Sequence, residues 1–421
     1  LLHLLTGEFR LVKRSRPGPR PVGVPIKGNM SSSAQKGVAK PWPATCLLRK
    51  KNIDQARKEM LIPYSPPAWA RGLAITPTHY VAIGQLNTEV QQWHLGDELV
   101  PEGFDLLIKR DDKTGIGLSG NKVRKLQFLM AEAIEVGADC VVTIGGNQSN
   151  HCRATAVAAT KLGLESYLIL REQDAALDAE LDPGMRGNLL LSRLVGAHIS
   201  MVSKSEYVSH GQDSLLLRKI GMLKAENKKP YGIPVGGSTP LGCWGYMEFV
   251  RELKDQLDAA GDTVSDIIVA MGSGGSAAGI ALGNKLSGLG AKVHAIIVSD
   301  NREYFVEQVQ ETYDALGAKY RTEDLLTIHE GYKGRGYSIT TEKELQTIVE
   351  VARMSGIMCD PVYNGKALCG LLDMLKRTPQ VFQGKRLLFV HTGGLYGFYD
   401  KEEDLMPVLN TRPATRLLSK M

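Results

Sequence analysis

Ser119-Gly120-Asn121-Lys122 sets a lysine behind a Gly-Asn turn, ahead of a run in which Val123, Leu126, Met130, Ala133 and Ile134 recur mostly at spacings of three and four. That period predicts a helix opening near Lys122 and burying the stripe. A cation is electrostatically misplaced at the positive end of a helix dipole, where the neutral amine or a covalent adduct is easier to hold. Such a lysine suits Schiff-base chemistry. Taken alone, the segment also fits a solvated surface lysine, so other groups must decide.

Three Gly-rich loops each follow an apolar run, the position at which open parallel sheets bind ligands. In Gly272-Ser273-Gly274-Gly275-Ser276 the glycines admit close approach of backbone amides, Ser273 and Ser276 add hydroxyls, and a helix should follow. A phosphate is the expected guest. No Gly-Lys-Ser/Thr follows, and the glycine spacing is not that of a dinucleotide loop, so a monophosphate held without a lysine fits best. The second loop, Gly145-Gly146-Asn147-Gln148-Ser149-Asn150-His151, places polar side chains in a row after an apolar strand. Ser149 or Asn150 can cap the next helix, and the remaining donors suit a substrate carboxylate. The third, His391-Thr392-Gly393-Gly394, offers a hydroxyl to a neutral ring nitrogen. Asp360-Pro361-Val362-Tyr363-Asn364-Gly365-Lys366 reads as a turn ahead of a helix, and with Tyr337 it brings two phenols to a cleft.

The elements that must position these groups alternate. Strands are expected at 139–144, 166–170, 197–202, 266–271, 292–298 and 386–390, and helices at 151–162, 187–195, 213–223, 241–257, 277–286 and 341–354, with a Gly/Pro loop over 231–240. This βαβ rhythm predicts an α/β fold of two lobes, each an open parallel sheet with helices on both faces. The expected division is a disordered basic tail at 1–70, a large cofactor-binding lobe from 71–124 plus 236–410, and a small lobe from 125–235.

Charge is unevenly spread. Of 421 residues, the first 53 hold 11 Lys/Arg against Glu8 alone, while the remainder carries a net charge of −4. A basic, acid-poor stretch with Ser31-Ser32-Ser33 and many prolines has the profile of an organelle transit peptide, with mitochondrial delivery expected and the cytoplasm as alternative. The body is not basic, so no nucleic-acid partner is expected. No apolar run reaches the length of a membrane span, so no membrane partner is expected either. The six cysteines make no Cys-x-x-Cys and no metal-ligand spacing with the histidines, so no metal is expected and the thiols read as small buried hydrophobes.

A first-turn lysine, a phosphate cradle, a carboxylate loop and a hydroxyl at the end of the last strand together fit pyridoxal 5'-phosphate bound as an imine. From about Leu106 to Lys401 the chain resembles the 1-aminocyclopropane-1-carboxylate (ACC) deaminase/D-cysteine desulfhydrase family, within the tryptophan-synthase-β-like, fold type II pyridoxal enzymes. The resemblance rests on Gly120-Asn121-Lys122-x-Arg124-Lys125-Leu126, Gly145-Gly146-x-Gln148-Ser149-Asn150, Asp360-Pro361-Val362-Tyr363-x-Gly365-Lys366 and His391-x-Gly393-Gly394, in the family's order.

The resemblance implies that Lys122 anchors the cofactor covalently and serves as the Cα base. It further implies that Asn150 meets the ring hydroxyl, that Ser273, Gly274, Gly275 and Ser276 hold the phosphate, and that Thr392 faces the pyridine nitrogen. Gln148, Ser149, His151 and Asn364 would contact the small amino-acid substrate, with Ser149, Tyr337 and Tyr363 in catalytic roles. Two departures separate this chain from the family's deaminases, which carry Glu in place of Asn364 and Leu in place of Thr392. His151 also replaces a common Gln. Loss of the acid weakens the electron sink needed to open a cyclopropane, whereas thiolate elimination asks less of the ring. The expected activity is therefore α,β-elimination of D-cysteine to pyruvate, hydrogen sulfide and ammonia. ACC deamination to 2-oxobutyrate and ammonia, and β-elimination of D-serine, β-chloro-D-alanine or cysteate, are the alternatives. A homodimer is the family's usual assembly.

Overall fold

The computed structural model describes residues 52–172 and 184–409. The tail expected over residues 1–70 lies mostly outside them, and its last part is corrected. Helix α1 (Ile53–Lys58) is capped by the Asn52 side chain and buries Ala56 and Arg57. Arg57 also donates to the Gly163 carbonyl.

The larger sheet is built from β1 (Val90–Gln92), β2 (Asp105–Lys109), β7 (Asp266–Met271), β8 (Lys292–Ile297), β9 (Thr327–His329) and β10 (Arg386–Val390), in the spatial order β9-β8-β7-β10-β2-β1. The smaller sheet is built from β3 (Cys140–Gly146), β4 (Glu165–Arg171), β5 (His198–Val202) and β6 (Pro230–Ile233), in the order β5-β4-β3-β6. Every pairing in the smaller sheet is parallel. The larger sheet departs from the expectation at one edge, where β1 runs antiparallel to β2. β6 occupies the start of the stretch read as a loop, since Gly232 and Pro234 mask its strand character.

Strands buried on both faces explain the unbroken apolar runs. Ile267, Val269 and Met271 of β7 enter one core with helices α5 (Pro240–Ala260) and α6 (Gly275–Ser287). Ile268 and Ala270 enter the opposite core with α8 (Glu342–Ser355) and α9 (Asn364–Arg377). Helix α2 (Lys122–Glu135) packs against both α5 and α3 (Asn150–Lys161), which joins the helices of the two sheets. The expected apolar stripe is buried, but so are Arg124, Lys125 and Gln127 on the remaining faces. A helix enclosed on all sides must find partners for those polar heads, and that requirement shapes the site.

Among the described residues the five cysteines are free, no group of His, Cys, Asp and Glu has the arrangement of a metal site, and no helix is long and apolar enough to cross a membrane.

Candidate active site

Lys122 is the first residue of α2, as its spacing predicts. The turn before it is seated on the end of β10: the Asn121 N–H donates to the Thr392 carbonyl at 3.0 Å. Gly120 and Gly393 meet back to back with φ of 103° and 88°. A Cβ on Gly393 would lie 2.5 Å from the Gly120 Cα, so neither position has room for a side chain. Asn121 Nδ2 also donates to Ser276 Oγ at 3.0 Å, tying the same turn to the first turn of α6.

Burial lowers the Lys122 ammonium to about 8, opposed by the Cys152 thiol nearby. Desolvation, rather than the helix end invoked from the sequence, is the leading cause. A neutral amine is therefore accessible near physiological pH, the state a Schiff-base lysine needs.

The Ser273–Ser276 loop joins β7 to α6, and Gly275 opens that helix. The expectation of a cradle without a lysine is corrected here. Lys125, 1% exposed, extends from the same helix turn as Lys122. Its Nζ donates to the Gly236 carbonyl at 3.1 Å and to Ser238 Oγ at 3.3 Å. Ser238 in turn donates to Ser273 Oγ at 3.0 Å and accepts from the Gly275 N–H at 3.3 Å. A Cβ on Gly275 would sit 2.7 Å from both Lys125 Nζ and Ser238 Oγ, so glycine keeps the space between them open. Burial, then the charge of Lys122, depresses the Lys125 ammonium far below its ordinary range. Three hydroxyls, the first amides of α6 and a lysine short of an anion fit a phosphate group, and with it a phosphorylated cofactor.

Sequence reasoning missed Lys125 and Ser238. The signal for Lys125 was its i,i+3 spacing from Lys122, which puts both on one helix face. Ser238 lay inside a Gly-rich stretch read only as a connection.

Ser149 is the N-cap of α3, accepting from the Cys152 N–H at 3.2 Å, and Asn150 is the first helical residue. The Ser149 side chain also bonds the Cys152 thiol, and the helix's leading amides point toward where an anion would sit. Gln148 is less available. Its Oε1 accepts from the Asn188 N–H at 2.9 Å and its Nε2 donates to the Arg186 carbonyl at 3.2 Å, which pins helix α4 (Gly187–Leu194) beside the loop.

His151 is buried, with Nε2 2.9 Å from Thr143 Oγ1. That hydroxyl gives its one proton to the Ile233 carbonyl at 2.8 Å, so His151 Nε2 must be the donor. Burial, then the charges of Lys122 and Lys125, keeps the imidazole neutral by pulling its pKa far down.

Tyr337 and Tyr363 come together, hydroxyl to hydroxyl at 2.6 Å. Tyr363 lies over the phosphate loop, since a Cβ on Gly272 would meet its ring at 2.6 Å. Burial raises both phenols, and the hydrogen bond from Tyr363 offsets part of the rise at Tyr337.

Asn364, expected to contact substrate, is completely buried and committed elsewhere. Its Nδ2 donates to Asp360 Oδ1 at 2.6 Å and to the Gly393 carbonyl at 2.7 Å. Its Oδ1 accepts from the Thr392 N–H at 2.9 Å and lies 3.2 Å from Thr392 Oγ1. The two positions at which the resemblance sets this chain apart from the deaminases are thus directly bonded to each other.

The model of the pyridoxal-phosphate-dependent enzyme family matches residues 82–393, which include all of these groups. The bifunctional D-cysteine desulfhydrase/1-aminocyclopropane-1-carboxylate deaminase, mitochondrial, of Arabidopsis thaliana is 49% identical over 349 residues, covering 82% of this chain and 86% of that protein. A putative 1-aminocyclopropane-1-carboxylate deaminase of Thermotoga maritima is 37% identical, covering 72% and 93%. The crystal structure of an ACC deaminase homologue superimposes with a TM-score of 0.69 at 32% identity, covering 82% of this chain and 100% of that one. The chain belongs to the pyridoxal-phosphate-dependent enzymes, in the branch shared by D-cysteine desulfhydrases and ACC deaminases.

Proposed function

We propose that the protein is a pyridoxal-phosphate-dependent lyase that converts D-cysteine and water to pyruvate, hydrogen sulfide and ammonia. The observation that carries the reading is the neutral Asn364–Thr392 pair at the end of β10, where the resemblance puts an acid and a leucine in the deaminases.

The cofactor, when bound, supplies the conjugated system that takes up the electron pair left at Cα. Lys122 would anchor it, and the same side chain, as a free amine, would take the substrate's Cα proton. The leading amides of α3 and Ser149 would hold the substrate carboxylate, and Asn150 would meet the ring hydroxyl. Ser273, Ser276, Ser238, Lys125 and the amides of Gly274 and Gly275 would hold the phosphate. Thr392 would face the ring nitrogen, and Asn364, whose Oδ1 accepts from the Thr392 N–H and hydroxyl, would position it. The Tyr337–Tyr363 pair flanks the side chain that leaves, where a phenol can hand a proton to the departing thiolate. Water then hydrolyses the released aminoacrylate to pyruvate and ammonia.

ACC deamination is the second reading, favoured by the double activity that the Arabidopsis relative's name carries. Assay of sulfide, pyruvate and 2-oxobutyrate from D-cysteine, L-cysteine and ACC separates the two. Absence of sulfide from D-cysteine with cofactor-loaded enzyme sinks the first reading. Asn364→Glu combined with Thr392→Leu should move the product ratio toward 2-oxobutyrate, and an unchanged ratio would remove the pair from specificity.

The proposal extends to a homodimer, to lobes drawn from 71–124 with 236–410 and from 125–235, and to mitochondrial delivery. The last is supported by the basic leader and by the Arabidopsis relative's printed location, and import assays with the full chain test it.

A further inference from the structure

Arg153, closing the first turn of α3, is 0% exposed, and none of its partners is charged. Nε donates to Asn188 Oδ1 at 3.1 Å and Nη1 to the Gly117 carbonyl at 2.6 Å. Nη2 reaches the Ser119 carbonyl at 3.1 Å and, at 3.4 Å, Asn150 Oδ1. The Tyr396 ring lies 5.0 Å from the guanidinium. Among the described residues no carboxylate opposes it, and Tyr396 is the one titratable group that does. Arg124, equally buried, has two carboxylates. A cation enclosed by neutral dipoles weakens a fold unless an anion arrives to balance it.

The location says which anion. Ser119 is three residues before Lys122, and Asn150 opens the helix whose next residue, His151, lies within reach of the Lys122 charge. With its Oδ1 turned to Arg153, the Asn150 amide presents its NH2 group on the other side.

We propose that Arg153 is a positioning residue of the cofactor site. It orients Asn150 toward the cofactor's ring oxygen and supplies the positive charge that balances that oxygen as an anion. This rests on the reading of Asn150 as the ring-oxygen contact. Burial draws the Arg153 guanidinium down only to about 10, so it stays charged at neutral pH.

A positive charge here disfavours protonation of the nitrogen that links Lys122 to the cofactor. The test is a pH titration of the visible absorption of cofactor-loaded wild type, R153M and R153K. Lys125, His151 and Cys152, the other titratable groups around Lys122, are common to all three. The midpoint should rise by about one pH unit in R153M, as expected for losing a charge several ångströms away. R153K should stay near wild type. An unmoved midpoint in R153M, or an equal rise in R153K, overturns the proposal.

If R153M does not fold, N150D against N150A keeps it testable, because N150D supplies the missing anion. N150D should be the more heat-stable of the two, and equal or lower stability overturns the proposal. A wild type without any visible band would overturn the cofactor reading and this proposal together, whereas a normal band with an unmoved R153M midpoint overturns this proposal alone.

Discussion

Arg124 and its neighbours Lys122 and Lys125 leave the same turn of α2 in two directions and reach opposite conditions. Arg124 forks onto Asp111 at 2.8 Å and onto Glu252 at 2.9 and 3.0 Å, with Lys109 closing the network on Glu252. Against the burial that would lower it, those carboxylates hold the guanidinium above its ordinary range. Lys122 and Lys125 turn to loops that offer hydroxyls, carbonyls and amides, and burial draws both ammonium groups down. Neutralised charge locks the helix in place, while charge left short of an anion is what a ligand can complete.

Lys122→Ala should produce the largest effect. Loss of both anchor and base removes the visible chromophore and lowers turnover on the order of 10³-fold or more. Persistence of the chromophore would hand the anchoring role to another lysine. Arg124→Met strips the network of its cation and leaves Asp111 and Glu252 buried together, a destabilisation of about 3–5 kcal/mol in urea unfolding. The folded fraction should still take up cofactor. If it cannot, the division between the two sides of the turn fails.

Lys125→Met comes next. Removing a charge-assisted contact worth about 1.5–3 kcal/mol should weaken cofactor binding about 10- to 100-fold in equilibrium dialysis. An unchanged affinity would return Lys125 to a structural part. The smallest effect is a shift in pH. Only the deprotonated Lys122 attacks the cofactor aldehyde, so the rate of uptake by stripped enzyme should climb with pH and level off with a midpoint near the value of about 8. A midpoint near 10.5, the ordinary lysine value, would mean that burial does not govern this amine.

The sequence made one side of this contrast far more legible than the other. Chains of buried apolar residues announced β3, β7 and β10, because parallel strands covered on both faces cannot hide their composition. β1 is three residues on an antiparallel edge, too short to show a period, and it was missed with β2 beside it. The amphipathic helix α7 (Arg302–Ala315) was missed as well, its four buried residues spread among acidic and amide side chains. Lys122, Ser149, Ser273, Ser276 and Thr392 stood out as candidates because each sits at a junction of strand, loop and helix. Lys125 and Arg153 were not, since a cation inside a helix pattern reads as solvated until the neighbouring sheet is known to cover it. Asn364 was placed correctly in the chain but given the wrong neighbour, because sequence spacing does not say which way an amide faces.

The back-to-back glycines carry a last consequence. Gly120 and Gly393 come from segments more than 270 residues apart, yet a methyl group on Gly393 would need the volume of the Gly120 Cα, and one on Gly120 would strike the Thr392 carbonyl and crowd Gly393. Neither can be enlarged while the other compensates, because nothing smaller than glycine exists. Any library randomised at both positions should return the parental pair alone among active clones, which makes this contact a built-in check that the two halves of a shuffled gene still belong together.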